Sequence, residues 1–178
     1  MKKLFVFLGD SGSGKTTLIT ELMNKHPDKF MRIVTCTSRS KRVGEENGKD
    51  YHFLSREFFF NNQDLVLVKC LENGDCYGTR KTELYSDTHH LLLSSKPTGV
   101  LKLVELGVMN IVVVRIAINK KLKIARMQHR GDTWEAISGR LKSDALTTTD
   151  VDLGQIPIID LNASQTIYEK IEIVLKVC

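Results

Sequence analysis

Short apolar runs alternate along the chain with stretches whose apolar residues recur at helical spacing. The first run, KLFVFL, is rich in β-formers, stops at Gly9 and reads as a buried strand. KTTLITELMNKH follows, with Leu18, Leu22 and Met23 on one face of a helix that HPDK ends. RIVTCT reads as a strand. Ser38 to Asp50 is polar and basic, holds two glycines and has no period, so it reads as a loop or flap. SREFFFNN begins with a serine cap and makes a short helical turn, with FFF as core plus one exposed ring. LVLVKCLE is a strand, YGTRKTELYSDT leads into a second short helix, and HLLLSS is a further buried strand. PTGVLKLVEL is a helix with proline in its first turn. NIVVVRI is the clearest buried strand. Residues 120–146 form two helices broken at Gly131. IPIIDL is the last strand, and SQTIYEKIEIVLKV an amphipathic helix with Ile167, Ile171 and Leu175 four apart. Strands alternating with helices predict an α/β fold, a mainly parallel central sheet flanked by helices. Without repeats or long linkers, this is one structural domain with two mobile inserts.

The 178 residues suffice for one domain with its own core. No run approaches the ~18 apolar residues of a membrane span. The apolar run before Gly9 is too short for a signal-peptide core, so the expected location is the cytoplasm. Cys36, Cys70, Cys76 and Cys178 are scattered without a CxxC pair, and fit reduced thiols better than a disulfide frame or a zinc site. A net charge of +5 suits an anionic ligand, and equally a mildly basic surface.

GDSGSGKTT, residues 9–17, completes the pattern G-x-x-x-x-G-K-[ST] between a strand and a helix. Glycines let backbone N–H groups turn toward phosphates, and the helix N-terminus adds partial positive charge. Gly9, Ser11, Gly12, Ser13, Gly14, Lys15, Thr16 and Thr17 are therefore expected to hold a nucleoside triphosphate, with Asp10 and Ser11 shaping the loop. Lys15 would reach the β- and γ-phosphates and Thr16 would ligate Mg²⁺. The expected cofactors are ATP and Mg²⁺.

The second signal lies in residues 35–55, TCTSRSKRVGEENGKDYHFLS. Arg39, Arg42 and Tyr51 can together grip a phosphate monoester. The same charge pattern also suits a solvated basic loop.

The order of residues here resembles the acceptor flap of the guanylate kinase family, S-x-T-T-R-x-x-R-x-G-E-x-x-G-x-D-Y-x-F. It stands as Thr35, Thr37, Ser38, Arg39, Arg42, Gly44, Glu45, Gly48, Asp50, Tyr51 and Phe53. Tyr77, Gly78 and Thr79 match the family's Y-G-[ST]. Arg130, Gly131, Ile137, Arg140 and Leu141 match R-G-x-x-x-x-x-I-x-x-R-L. The resemblance covers essentially the whole chain. It implies a P-loop kinase fold with an ATP-binding core (1–34, 88–125 and 145–178), an acceptor-binding insert (about 35–87) and a helical lid (about 126–144). It implies that Thr35, Arg39, Arg42, Tyr51, Tyr77 and Thr79 bind the acceptor, with Lys15, Arg126, Arg130 and Arg140 acting on the transferring phosphoryl group. Arg126 and Arg130 are four apart and share a helical face.

The chain departs from the family in three places. The family reads guanine with a glutamate nine residues before the Y-G-[ST] tyrosine, and Val68 stands there. The family's strand end L-D-x-D-x-x-G aligns with LSSKPTG, so Ser94 and Lys96 replace two acids. Its R-G-T-E becomes RGDT. A site built on hydrogen bonds to a base loses on the order of 10⁴-fold discrimination when they go unpaired. Glu72 is a candidate replacement acid. Otherwise the acceptor is another phosphorylated molecule, a modified deoxynucleotide or ribose 1,5-bisphosphate, with Lys96 favouring extra negative charge.

His89 and His90 read as polar surface rather than metal ligands, and His52 as a packing residue beside Tyr51. The expected function is an ATP-dependent kinase of a nucleoside monophosphate, GMP or dGMP by default. A non-catalytic phosphopeptide-binding module of guanylate-kinase-like type is the competing class. Such modules typically have degraded phosphate loops, whereas Gly14, Lys15 and Thr16 are intact. Charge alone suggests nucleic acid, without a recognition motif.

Overall fold

Phe5, Val6 and Phe7 are fully buried in the first strand, β1 (Leu4–Leu8), because it lies at the centre of a sheet covered on both faces. The computed structural model describes residues 1–42, 44–71, 74–145 and 152–178. They form two compact units, Met1–Met31 with Thr88–Cys178, and Arg32–Asp87.

The first unit is built on a five-stranded sheet. β2 (Phe30–Arg32) is at one edge, followed by β7 (His90–Ser94), β1, β8 (Ile111–Ala117) and β9 (Ile158–Asn162). β1 runs parallel to β7 and β8, and β8 parallel to β9. β1 and most of β7 and β8 are covered on both faces and read as continuous apolar runs, whereas β9 alternates exposed and buried positions. One face buries Phe5, Phe7, Val112, Val114 and Leu161 with Leu18, Ile19 and Leu22 of α1 (Lys15–Lys25) and Ile171 and Val174 of α6 (Ile167–Leu175). Val100 and Leu103 of α3 (Pro97–Glu105) are fully buried, as is Met127 of α4 (Lys120–His129). α4 stops at a turn around Gly131, and α5 (Trp134–Ala145) follows. Trp134 is exposed. α6 opens with a capping box, in which Thr166 accepts from Glu169 N–H and Glu169 accepts from Thr166 N–H.

The second unit is a four-stranded sheet in the order β4 (His52–Phe53), β3 (Cys36–Thr37), β6 (Cys76–Arg80), β5 (Leu65–Cys70). α2 (Arg56–Asn61) and a 3₁₀ turn at Lys81–Leu84 flank it. Of the three phenylalanines at 58–60, Phe59 is buried and Phe60 exposed.

Three expectations are corrected. RIVTCT is not a single strand. Its first residue ends β2 and its last two form β3, because two different sheets take up the two ends of the run. The cysteines are not all free. Cys70 and Cys76 face each other across the antiparallel β5–β6 pair, with Cα atoms 4.0 Å apart, and are joined by a disulfide, leaving Cys36 and Cys178 as thiols. Hairpin register brings that pair together, and spacing alone does not show it. His90 is not surface. It is 8 % exposed, its Nδ1 accepts from Lys3 N–H at 3.0 Å, and its ring packs on Phe5 and Phe30.

Burial, with Lys2 and Lys3 nearby, holds His90 below the ordinary histidine range. A depressed folded-state value means the unfolded chain binds the proton more readily. The contribution of His90 is therefore complete above pH about 6.5 and is lost as pH falls below it. Thermal unfolding from pH 7.5 to pH 5 should show a steeper loss of Tm for the wild type than for His90→Gln. Parallel curves would remove His90 from the acid response. No helix among the described residues is long and apolar enough to cross a membrane.

Candidate active site

The loop from Gly9 to Gly14 leaves β1 at its C-terminal end and enters α1. Gly9 has φ +145°, and a Cβ there would stand 2.6 Å from the carbonyl of Ile116 and 2.9 Å from Ser13 Oγ. Only glycine fits so close a backbone approach. Gly14 caps α1 with φ +98°. The first N–H groups of the helix have no partner within it, so they are available to an anion. Lys15 lies at that start. Its Nζ donates to the Gly9 carbonyl at 2.5 Å and the Asp10 carbonyl at 2.9 Å. Burial pushes the Lys15 ammonium below the ordinary lysine range, against the opposing pull of Asp144 and Asp10.

Residues 10–13 of the loop are each held by α4 or α5. Asp10 pairs with Lys123 at 2.9 Å. The Ser11 N–H donates to Asp144 Oδ2 at 3.2 Å, and Asp144 also pairs with Lys123 at 2.5 Å. Arg126 donates from Nη1 to the carbonyls of Gly12 (3.0 Å) and Ser13 (3.4 Å), and from Nη2 to that of Ala163 (2.9 Å). Burial alone would lower the Lys123 ammonium, but its bonds to Asp144 and Asp10 outweigh it and hold it above the ordinary range. The sequence reading assigns Asp10 to loop shape and does not find Lys123 or Asp144, since no local motif links positions so far apart.

A cavity of about 390 Å³ opens on the loop. Gly12, Gly14, Lys15, Thr16, Thr17, Arg126 and Arg130 line it, together with Gln165, Ile167 and Lys170. The structure thus gathers most of the expected donor-site residues and adds three around the start of α6. Arg130 is bound bidentately by Asp132, and Arg140 Nε lies 3.7 Å from the same carboxylate, so the turn between α4 and α5 fixes both guanidiniums. Ser94 ends β7 and is exposed. The charge of Lys96 acts on Lys15 and lowers its pKa further. Thr16 is exposed at the first turn of α1, and no cluster of three or more His, Cys, Asp or Glu side chains suited to a metal occurs among the described residues. One hydroxyl ligand fits a hard cation that arrives on the nucleotide's phosphates and keeps water in its shell. A larger apolar groove, about 760 Å³ and lined by Leu101, Val104, Met109 and Ile156, carries none of this chemistry.

In the second unit the expected acceptor residues partly converge. Arg39 is gripped by Glu45 through two bonds, 2.8 and 3.1 Å, and lies 5.4 Å from the Tyr51 ring centroid. Tyr51 and Tyr77 stack edge-on at 6.3 Å. Glu45, with a smaller contribution from Tyr77, raises the Arg39 pKa, so the fork stays charged. Arg42 is exposed, and its backbone N–H donates to Glu45 at 2.8 Å. Thr79 is buried within β6, while Thr35 accepts from His52 N–H through its carbonyl. His52 Nε2 lies 3.3 Å from Glu83. Thr37 and Ser38 are structural, bonding to the backbone of Cys76 at 3.0 and 2.8 Å. Val68 is half-exposed beside a bulge at Leu67, and Glu72 lies outside the described residues.

A family model described as guanylate kinase matches residues 1–173. The guanylate kinase of Clostridium perfringens (strain 13 / Type A) is 30% identical over 178 residues, covering 97% of this chain and 82% of that protein. That of Mycoplasma genitalium is 27% identical over 182 residues, covering 97% and 75%. Among solved structures, guanylate kinase from Anaplasma phagocytophilum superposes with TM-score 0.63 at 20% identity, covering 99% of this chain and 84% of its own. A gluconokinase from Sinorhizobium meliloti 1021 gives 0.55 at 16%, covering 98% and 90%. The structural likenesses carry the fold alone. The sequence match runs from Met1 into the last helix, well past the phosphate loop that many kinases share. On that extent of agreement the chain belongs to the guanylate kinase family and is an ATP-dependent nucleoside monophosphate kinase.

Proposed function

We propose that the chain moves the terminal phosphoryl group of ATP onto the phosphate of GMP or dGMP. The bond from the γ-phosphorus to the β–γ bridging oxygen breaks, ADP leaves with that oxygen, and an acceptor phosphate oxygen takes the phosphorus. Such transfer needs positioning and cations on the equatorial oxygens more than covalent help. The loop N–H groups and Lys15 would hold the donor phosphates, with Arg126, Arg130 and Arg140 supplying positive charge to the transferred group. Mg²⁺ bound through Thr16 and the phosphates would neutralise developing charge on their oxygens. In the second unit, Arg39, Arg42, Tyr51 and Tyr77 would bind the acceptor phosphate, with Thr35 and Thr79 beside them.

The observation that carries the acceptor side is the meeting of Arg39, Tyr51 and Tyr77, with Glu45 setting the guanidinium plane. A fork fixed in that way loses little freedom on taking a phosphate. The names of the relatives support guanine as the base. Val68 favours a second reading, another phosphorylated acceptor, because an apolar side chain stands nine residues before Tyr77, where the family's guanine reader is a glutamate.

ADP release should be followed with Mg·ATP and a panel of GMP, dGMP, the other common monophosphates, hydroxymethylated pyrimidine monophosphates and ribose 1,5-bisphosphate. Turnover of GMP or dGMP above the others is expected. Preference for a different acceptor would replace guanine with the second reading. Silence with every acceptor, with ATP still bound, would favour a phosphopeptide-binding module.

A further inference from the structure

The last helix contributes a lysine to the donor pocket that neither the loop motif nor the flap motif contains. Lys170 is in the second half-turn of α6, just after the capping box, on the face that also buries Ile171 and Val174. The residue is 6 % exposed, yet it lines the cavity that holds Gly14, Thr17 and Arg126. Its Nζ has one hydrogen bond among the described residues, to the carbonyl of Ala163 at 3.5 Å. That is the outer limit of such a bond. Arg126 Nη2 already takes the same carbonyl at 2.9 Å.

Lys123 makes the contrast. It is equally buried, and two carboxylates neutralise it at 2.9 and 2.5 Å. Lys170 has a guanidinium for a neighbour, and burial with Arg126 pushes its ammonium below the ordinary range, outweighing the weaker pull of Glu169. A buried cation is retained against its desolvation cost when an anion or several good acceptors meet it. A carbonyl shared with Arg126 is poor compensation. A phosphate in the adjoining cavity would give both cations a partner.

We propose that Lys170 is a donor-nucleotide ligand, an ammonium on α6 that binds the polyphosphate of the nucleoside triphosphate alongside the loop's N–H groups. The inference rests on the donor-pocket reading above and adds a residue to it.

The test measures binding of Mg·ATP and of inorganic tripolyphosphate, together with Tm of the free protein, for the wild type, Lys170→Met and Lys170→Gln. Both variants should bind both anions roughly 10- to 100-fold more weakly, the loss expected for a charged hydrogen bond. Lys170→Met should have an equal or higher Tm, because an apolar side chain of similar length removes a poorly compensated buried charge. Opposite signs for stability and affinity are what a purely structural lysine would not produce. Lys170→Gln keeps a donor for Ala163 without the charge, so the comparison survives poor folding of the methionine variant. Unchanged affinity in either folded variant overturns the proposal, as does a fall in Tm of Lys170→Gln alongside its fall in affinity. Weakened ATP binding with unchanged tripolyphosphate binding also overturns it, since the contact would then be to the nucleoside. These outcomes leave the kinase reading intact. Failure of the wild type to turn over ATP with any acceptor overturns that reading, while the binding comparison still decides the role of Lys170.

Discussion

Lys15→Ala should lower kcat with Mg·ATP by on the order of 10³-fold while leaving the chain folded. Removing one preorganised donor from developing charge costs about 10²–10³ in turnover, and a cation on a transferring phosphoryl group is worth up to about 10⁵. Lys15 is placed for that role by the loop. It follows the Gly14 cap, its ammonium is within hydrogen-bond reach of two loop carbonyls, and it lines the donor cavity with Arg126 and Arg130. Its bonds to the Gly9 and Asp10 carbonyls are single neutral-acceptor contacts at a partly open site, so their loss should cost about 1 kcal/mol of stability. The pair of readings, kcat by coupled ADP release and ΔG by urea unfolding, separates the chemical role from a structural one. Turnover within tenfold of the wild type would mean that Lys15 does not reach the transferring group. A loss of several kcal/mol would mean that the loop depends on Lys15 for its fold.

Much of this site can be read from local sequence, because its parts are local. A strand, a glycine loop and a helix N-terminus follow one another within Leu4–Lys25, and each has a one-dimensional signature. The central strands β1 and β7 read well for the same reason, since a strand covered on both faces needs apolar residues at nearly every position. What sequence does not show depends on distant parts meeting. Lys123 and Asp144 reach the loop from α4 and α5, Ala163 meets Arg126 from the β9–α6 turn, and nothing in their own surroundings marks them. Lys170 looks like a solvent-facing lysine in an amphipathic helix, yet it is buried beside the capping box. His90 reads as polar because its burial depends on Phe5, Phe30 and the Lys3 backbone. The Cys70–Cys76 pair depends on hairpin register across a bulged strand. In each case composition is right about the side chain and silent about its neighbours.

Lys123→Ala should be the most destabilising single change around the loop, by about 3–5 kcal/mol, the cost of removing one partner from a buried ion cluster. The side chain of Lys123 is 5 % exposed, and it is the cation between Asp10 and Asp144. Without it, two carboxylates face each other across the space it filled. For a chain of this size the loss corresponds to a fall in Tm of about 10 °C. Function should suffer too, because Asp144 also accepts from Ser11 N–H and ties α5 to the loop. The sign of the effect can be tested by removing the anions as well. A triple variant, Lys123→Met with Asp10→Asn and Asp144→Asn, deletes every formal charge of the cluster and should recover most of the lost stability. Neutral groups of similar shape commonly match a buried ion cluster in free energy. Recovery of stability without recovery of nucleotide affinity would assign the cluster to holding the loop in its binding shape. If Lys123→Ala alone cost less than about 1 kcal/mol, the cluster would be acting as an exposed ion pair and could not be what fixes residues 10 and 11.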